Sequence, residues 1–475
     1  MINDFFNILL PQTCLAIFVL IELILAMFCK KKHQNLARLV SIIGISLTIL
    51  LLSTVQIEPQ YFGMRGAIMS DCYTLLFHFI ILLCGFFTVL LTGNLTHSMK
   101  SNAFSLQAIL LTAIFGALNI VSANDFLTLF ISLELLSFTT YFLIASANGY
   151  HSKEASFKYL ITNAVSTGVF LFGVSYLYGL TSSLNMTEIY ETIVEQESSL
   201  LYAFSTILIM IGLMAKLAIF PFANWIIDVF KGTESSILAF LSTIPKLALF
   251  GVICRLMVFP LGGNFELTFV IITLSLITAL WANTYAIREK NIKAIFACSS
   301  AANVAYVILA TSLVSVYNLS TVIFYLICYV IMNLSAFSFL NIAESNNIGI
   351  NLNDFRGLFH TNRLASIAYI ISIISLAGFP ITSGFIAKIY LFSAIAHSGL
   401  IFIPFLLVLL ILTVVALYYY LKLITPLFEN LENKQIFKAN YSQNFVIFVT
   451  VIITIIIGFF PEKLIELCRF IAYNI

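Results

Sequence analysis

The amino-acid sequence predicts an all-α polytopic membrane protein with about 14 transmembrane helices. Apolar residues make up 61% of the 475 positions and charged residues only 9%, whereas a soluble domain contains roughly 25% charged residues. Apolar runs long enough to cross a hydrocarbon core about 30 Å thick recur along the chain, from 8–29 to 445–460. Segments of alternating polarity, which barrel strands would require, are absent. Helices are therefore expected, because they satisfy their backbone donors within the segment.

The distribution of basic residues predicts the orientation, since cytoplasmic loops are enriched in Lys and Arg. With the loop after the first helix placed in the cytoplasm and the sides alternating, 16 of the 23 basic residues fall on the cytoplasmic side. These include the run Lys30-Lys31-Lys32 and Lys293. Four fall on the other side: Arg65, Arg255, Lys463 and Arg469. Both termini are therefore expected on the outer side, and the three remaining lysines lie inside helices.

Several classes of chemistry have no support in this sequence. The eight cysteines form no CxxC pair and lie mostly in apolar runs, so we interpret them as buried small side chains rather than metal ligands or disulfides. No GxGxxG or GxxxxGK[ST] motif and no Cys or His cluster with metal-ligand spacing occurs. We expect no cofactor, no metal and no nucleic-acid partner, and we expect any redox chemistry to occur on another chain.

Charged residues inside the predicted helices are the candidate functional residues, because a charge at the bilayer centre costs about 3 kcal/mol or more. These residues are Glu22, Glu134, Lys216, Lys246 and Lys388. A lysine near a helix end can extend to the interface, but the three lysines lie roughly 8 or more residues from a cytoplasmic boundary, or beside a helix break. We interpret the lysines and Glu134 as functional. Glu22 fits a functional or an interfacial position equally well.

Lysine suits proton transfer, because desolvation favours its neutral form and a neighbouring carboxylate favours its charged form. A Glu–Lys pair that opens and closes would therefore switch a lysine between holding and releasing a proton. Two other polar residues in apolar helices, His78 and Asn119, are better explained by packing hydrogen bonds.

Two predicted helices are interrupted. Pro221 breaks helix 7, and Pro380 with its flanking glycines breaks helix 12, because proline lacks a donor and clashes with the preceding turn. Lys216 lies near the first break and Lys388 near the second. Broken helices at matching positions in two halves indicate an inverted-repeat transporter with sites at the membrane midplane. We therefore predict two inverted five-helix repeats, helices 4–8 and 9–13, with discontinuous helices 7 and 12.

The predicted organisation is a single membrane domain over residues 1–475. Residues 1–100 contain helices 1–3, residues 101–260 the first repeat, residues 261–430 the second repeat, and residues 431–475 helix 14. No loop is longer than roughly 20 residues, so no domain outside the membrane is expected.

Several segments resemble the antiporter-like subunit N of respiratory complex I, the proton-pumping NADH–quinone oxidoreductase. They are KYLITNAVSTGVFLFGVSYLYG from Lys158, AKLAIFPF, DVFKG, AFLSTIPKLALF, REKNIKAIFACSS and SLAGFPITSGFIAKIYLF. The Pro-Lys pair of helix 8, and a lysine rather than a glutamate on helix 12, favour subunit N over its paralogues. The resemblance covers most of the chain and is densest from about residue 124 to residue 390.

This resemblance implies a role for each buried charge. Glu134 on helix 5 would pair with Lys216 on helix 7, Lys246 on helix 8 would be central, and Lys388 on helix 12 would serve the outward half-channel. The implied function is proton transfer along the membrane midplane of a bacterial inner membrane, driven by quinone reduction elsewhere. Flavin, iron–sulfur clusters and quinone would lie on other subunits. The implied partners are other membrane subunits, including paralogous antiporter-like subunits, with protons and the lipid bilayer.

The chain departs from the family in three motifs. PFHxW has Ala223 in place of His, and SSIAHxGY has Asn303 in place of His. PDVYxGAP reads IDVFKGTE from Ile227. Neither Ala nor Asn titrates near neutral pH, so a relay near Asn303 would use water, Ser300 or Tyr306.

Two alternatives remain open at this point. The first is a subunit of a multisubunit cation/proton antiporter, which would share the fold and the buried lysines. The second is a structural membrane subunit whose channel does not conduct.

Overall fold

The computed structural model describes residues 9–29, 34–55, 61–94, 102–147, 149–195, 200–261, 265–429 and 437–475. Within these ranges, 12 helices are long and apolar enough to cross a membrane. Two shorter apolar helices, Leu200–Lys216 and Arg363–Ala377, begin the two helices predicted to be interrupted. The predicted fold of about 14 membrane helices is confirmed.

The membrane helices keep the predicted numbering. The continuous ones are α1 (Leu10–Phe28), α2 (Gln34–Leu52), α3 (Cys72–Leu91), α4 (Ala103–Ser122), α5 (Phe126–Ala145), α6 (Tyr150–Thr181), α9 (Phe265–Arg288), α10 (Ile292–Ser312), α11 (Val316–Ser345), α13 (Ile403–Ile424) and α14 (Tyr441–Phe459). The helices in two parts are α7 (Leu200–Lys216 and Trp225–Gly232), α8 (Ser235–Leu241 and Ile244–Val258) and α12 (Arg363–Ala377 and Ser383–His397). The breaks in α7 and α12 were predicted, and the break in α8 was not.

Short elements lie between the membrane helices. Strands β1 (Tyr61–Gly63) and β2 (Ile68–Ser70) pair antiparallel, with Tyr61 opposite Ser70. Helix Met186–Glu195 follows α6, and helix Glu462–Tyr473 follows α14. None of these elements was predicted. The strands have three residues each, and the two helices, with 10 and 12 residues, are too short to cross a membrane.

Side-chain caps define where several membrane helices begin. Asp125 accepts hydrogen bonds from the backbone N–H groups of Leu127 and Thr128, and Asn291 accepts one from that of Ala294. Such caps satisfy donors that have no partner within the helix. They allow α5, which carries Glu134, and α10, which carries Ser300 and Asn303, to begin at fixed positions in the chain.

The helices form two compact units. The first contains α1 to α6 with the first part of α7 and the second part of α8. The second contains the second part of α7, the first part of α8 and helices α10 to α14. The two predicted repeats, 101–260 and 261–430, are defined by internal symmetry, whereas the two units are defined by compactness. The repeats therefore stay a prediction.

The core of the second unit is formed by α10 and α11, in which nearly every residue is buried. By contrast, α13 exposes large apolar side chains such as Ile411 and Val414. Exposed side chains of this kind suit a lipid-facing surface, because lipid tails are themselves apolar. Polar side chains on α10 and α11 are therefore enclosed by protein.

Two basic residues that we predicted in loops lie buried in helices. Arg255 is in the second part of α8 and pairs with the buried Asp71, with Nη2 2.7 Å from Oδ2. Lys293 is in the first turn of α10 and pairs with Glu344. The loop assignment was wrong for both, because an acidic partner allows a helix to retain a buried charge near its end. Lys30-Lys31-Lys32 lies outside the described residues.

Candidate functional site

Lys216 is the last residue of the first part of α7. The helix ends there in a tight turn, in which Leu217 N–H donates to the carbonyl of Met214 and Ala218 adopts a positive φ of 62°. Pro221 follows within the break and cannot continue the helix. A lysine at this position lies beside the free carbonyls of a helix C-terminus, which favour a positive charge.

The structure brings Glu134 and Lys216 together in the first unit. Lys216 Nζ lies 3.5 Å from Glu134 Oε1 and 3.2 Å from Ser137 Oγ. The same carboxylate oxygen accepts a shorter hydrogen bond, 2.7 Å, from Thr167 Oγ1 on α6. The lysine side chain is only 4% exposed and that of the glutamate 23%. The carboxylate is thus shared between a buried cation and a hydroxyl on a different helix.

Lys246 lies two residues into the second part of α8 and is 6% exposed. The two parts of α8 are separated by Ser242 and Thr243, and the Thr243 hydroxyl donates to the carbonyl of Ala239 at 2.6 Å. Pro245 is the sequence signal for this break, because proline is tolerated only in the first turn of a helix. All three predicted lysines therefore lie beside helix breaks.

Lys388 lies in the second part of α12 and is held by backbone rather than by a carboxylate. Its Nζ donates to the carbonyls of Leu376 (2.8 Å) and Ala377 (3.0 Å), which end the first part of α12. Gly378 follows with a φ of +87°. In the described part of the chain, no ion pair is formed by Lys388, so helix-end carbonyls provide its electrostatic stabilisation.

Glycine allows the two parts of α12 to approach each other closely. A Cβ atom at Gly384 would lie 1.9 Å from the carbonyl oxygen of Ser375. The Ser375 hydroxyl also accepts a hydrogen bond from the Gly384 N–H at 3.1 Å. The break in α12 thus depends on the absence of a side chain at this position.

The predicted relay residues on α10 are buried and hydrogen bonded. Ser300 Oγ accepts from Tyr329 OH at 3.0 Å, and Asn303 Oδ1 accepts from Tyr325 OH at 2.9 Å. Tyr306 OH lies 3.5 Å from Asn283 Nδ2. We did not anticipate the tyrosine partners.

Two signals for these tyrosines were available in the sequence. Tyr325 and Tyr329 are spaced i, i+4 and so share one face of α11. Tyr420 of α13, which lies 2.5 Å from Ser299 Oγ, belongs to the run Tyr418-Tyr419-Tyr420. Neither signal identifies the partner helix.

The second unit also contains a buried ion pair, Lys293 with Glu344, that was not predicted from the sequence. Lys293 donates to the carbonyl of Thr233 at 2.5 Å and pairs with Glu344. Glu344 Oε2 accepts a hydrogen bond from the Ser235 N–H at 2.7 Å. These bonds join the start of α10 and the end of α11 to the junction between α7 and α8.

Glu289, in the turn between α9 and α10, pairs with Lys231 at 2.9 Å. Burial by itself would raise the pKa of the Glu289 carboxyl, but the hydrogen bond and charge of Lys231 outweigh it and hold this pKa below its usual range. Glu289 is therefore ionised at neutral pH.

The other polar candidates have local partners. Glu22 is fully buried and accepts a hydrogen bond from Ser41 Oγ at 2.7 Å, and both interpretations of this residue stay predictions. His78 Nε2 lies 2.9 Å from the carbonyl of Leu118, and Asn119 donates to that of Phe115. Hydrogen bonds of this kind agree with the packing role expected for these two residues.

The chain is similar to known proteins along most of its length. Residues 123–415 match the family described as NADH:quinone oxidoreductase/Mrp antiporter, TM. NADH-quinone oxidoreductase subunit N of Bacillus anthracis is 31% identical over 441 residues, which cover 89% of this chain and 86% of the relative.

Two solved structures share the fold. A chain of respiratory complex I from Thermus thermophilus with bound Aureothin has a TM-score of 0.83 and 24% identity, covering 97% of this chain and 100% of that one. A chain of the Mrp complex from Dietzia sp. DQ12-45-1b has a TM-score of 0.86 and 18% identity, covering 100% of this chain and 97% of that one.

Proposed function

Because the chain belongs to the family of membrane subunits that includes NADH-quinone oxidoreductase subunit N, we propose that it transfers protons as a subunit of such an oxidoreductase. Quinone reduction on other subunits, which would hold the flavin, iron–sulfur clusters and quinone, drives the transfer. Other membrane subunits, including antiporter-like paralogues, are its partners. The location is a bacterial inner membrane, with both termini on the outer side.

The pair formed by Glu134 and Lys216 is the observation that carries this proposal. A buried ammonium group is stabilised when a carboxylate is near, and its neutral form is favoured when the carboxylate moves away. Thr167 offers the carboxylate an alternative partner on another helix. Movement of Glu134 between Lys216 and Thr167 would therefore make Lys216 hold and then release a proton.

Lys246 and Lys388 are the later proton carriers in this proposal. Lys246 is enclosed in the first unit beside the break of α8. Lys388 is held in the second unit by two carbonyls, which stabilise a charged lysine without binding it as firmly as a carboxylate would. A carrier held in this way accepts a proton and can also give it up.

Substitution of Lys216 by Ala tests the proposal. In the assembled complex reconstituted into vesicles, Lys216→Ala is expected to abolish or strongly reduce NADH-driven proton uptake. Lys158→Ala is the matched control, because Lys158 forms an exposed pair with Glu154 and such pairs contribute little. Normal uptake by both Lys216→Ala and Glu134→Ala would leave only a structural role for the subunit.

A cation/proton antiporter subunit is the second candidate, favoured by the shared fold of the Mrp complex chain. Purification of the native complex separates the two candidates. Subunits that carry flavin and iron–sulfur clusters would support the oxidoreductase. Small antiporter subunits in their place would support the antiporter.

A further inference from the structure

One face of α10 carries a line of polar side chains that the lysine route does not use. Ser299, Asn303 and Tyr306 are spaced i, i+4 and i+7 and therefore lie along one face of the helix. All three are buried. Two tyrosines on other helices form hydrogen bonds with this face: Tyr420 of α13 with Ser299, and Tyr325 of α11 with Asn303. Burying a polar group costs free energy unless the group forms a hydrogen bond. Each of these three side chains has a hydrogen-bond partner.

The hydrogen bonds of this cluster fix the orientation of the Asn303 amide. Tyr325 OH donates to Asn303 Oδ1 at 2.9 Å, which turns the amide nitrogen towards Tyr420 OH at 3.4 Å. The same amide nitrogen also lies 3.5 Å from Ser299 Oγ. The two hydroxyl oxygens are 2.5 Å apart, and either hydroxyl can donate the hydrogen bond between them. An amide that donates and accepts in fixed positions orients the two hydroxyls beside it.

We propose that the hydroxyl pair of Tyr420 and Ser299, oriented by Asn303 and Tyr325, is a proton relay in the second unit. This inference rests on the proposed function. A proton that arrives on the Tyr420 oxygen displaces the hydrogen already there to Ser299, and Ser299 releases its own hydrogen to a water molecule. Each hydroxyl gains one proton and loses one. Asn303 is a positioning residue, because it orients Tyr420 without transferring a proton itself.

The position of the pair supports a relay rather than an isolated packing contact. Ser299 lies about two helical turns, or about 10 Å, beyond the start of α10 at Ile292. Lys422, two residues after Tyr420, donates to the carbonyl of Glu289 at 2.7 Å. Glu289 in turn pairs with Lys231. The hydroxyl pair therefore lies about two helical turns inside a group of charges at the helix ends.

The other end of the same face leads towards Lys388. Tyr306 lies about two turns beyond Ser299, and its ring packs against Phe392 with centroids 6.1 Å apart. Lys388 precedes Phe392 by four residues and so lies on the same face of α12. The hydroxyl pair thus lies between the charges around Glu289 and the helix that carries Lys388, all within the second unit.

Removal of single hydroxyls tests the relay. Tyr420→Phe keeps the ring, and Ser299→Ala is a smaller change that keeps the test valid if the first variant fails to assemble. Tyr369→Phe is the matched control, because Tyr369 is a fully buried tyrosine whose hydroxyl has no hydrogen-bond partner among the described residues. Lys216→Ala and Glu134→Ala are measured alongside, in vesicles that contain the assembled complex.

Each relay variant is expected to lower NADH-driven proton uptake by on the order of tenfold, less than the full effect of a general acid or base because water replaces the hydroxyl in part. Asn303→His added to Tyr420→Phe should restore uptake, since an imidazole beside Ser299 both accepts and donates a proton. A packing defect alone would not be repaired by this second change.

The outcomes separate the two proposals. Reduced uptake in Tyr420→Phe and Ser299→Ala, with recovery by Asn303→His and normal uptake in Tyr369→Phe, supports the relay. If Lys216→Ala abolishes uptake but Tyr420→Phe and Ser299→Ala behave like Tyr369→Phe, the relay is wrong and proton transfer by the subunit stands. If Lys216→Ala and Glu134→Ala both leave uptake unchanged, the proposed function is wrong and the relay loses its basis.

Discussion

Glu134 is bound more closely by the hydroxyl of Thr167 than by the ammonium group of Lys216. The two distances to the same carboxylate oxygen are 2.7 Å and 3.5 Å. A tight buried ion pair would hold its proton firmly, whereas a carboxylate with two competing donors on different helices can turn between them. This competition gives the pair a way to open without a large movement of the backbone.

Removal of the competing hydroxyl should tighten the ion pair. Thr167→Val keeps the side-chain shape but removes a hydrogen bond to a charged group, which contributes roughly 2 kcal/mol. We expect Glu134 to move towards Lys216 and proton uptake to fall several-fold in reconstituted vesicles. Thr162→Val is the control, because that hydroxyl bonds only within its own helix. Equal uptake by both variants would show that Thr167 does not control the pair.

A side chain at Gly378 should disturb both the break in α12 and Lys388. The residue has a φ of +87°, and an added Cβ would lie 3.0 Å from Lys388 Cδ. Left-handed backbone costs an L-residue roughly 1–2 kcal/mol, so Gly378→Ala should lower thermal stability and reduce uptake. Gly168→Ala is the control, since a Cβ there has no neighbour within 4 Å. A Gly378→Ala protein as stable as the control would contradict the geometry of the break.

Arg255 and Asp71 should be among the most sensitive positions for stability. Arg255→Met would leave Asp71 buried and unpaired, which costs about 3–5 kcal/mol. Asp71 also caps α3 through the N–H of Thr74. We expect a marked loss of thermal stability or of assembled complex, measured after purification. Adding Asp71→Asn should recover part of the loss.

The control for Arg255 is the exposed pair of Arg356 and Glu429, in which both side chains are about half exposed. Arg356→Met should change stability by less than about 1 kcal/mol. If the two arginine variants are equally stable, the buried pair does not tie α3 to α8.

Cys468 should be unreactive towards thiol reagents at neutral pH. It lies in the helix after α14, and burial raises the pKa of its thiol to about 12. The reactive thiolate is therefore rare at pH 7 to 8 and forms only as the pH approaches about 12. Maleimide labelling followed by mass spectrometry should modify the partly exposed Cys29 and Cys72 first. Rapid labelling of Cys468 at pH 8 would show that this helix does not pack as described.

The accuracy of the sequence-based prediction depended on how local each signal is. Pro221 and Pro380 mark helix breaks through their own geometry, and both breaks were found. Pro245 marks the break of α8 by the same principle but was not used. Arg255 and Lys293 were misplaced, because the acidic residues that allow them to be buried are far away in the chain.

The relay region shows the same limit. Ser300, Asn303 and Tyr306 were identified on α10, but the tyrosines of α11 and α13 that bond to this helix were not. The residues on one helix face follow from its 3.6-residue period. The identity of the neighbouring helix depends on packing across more than 20 residues of chain, and no periodicity records it.

The buried lysines were determined by the sequence alone, because apolar runs define the helices and any charge within them is exceptional. The proximity of Lys216 and Lys388 to helix breaks followed from proline and glycine, whereas the break beside Lys246 was not predicted. Only the tertiary structure decided what stabilises each charge: a shared carboxylate for Lys216, and two helix-end carbonyls for Lys388. Stabilisation of a buried charge depends on atoms within a few ångströms, and these come from residues that folding brings together from separate parts of the chain.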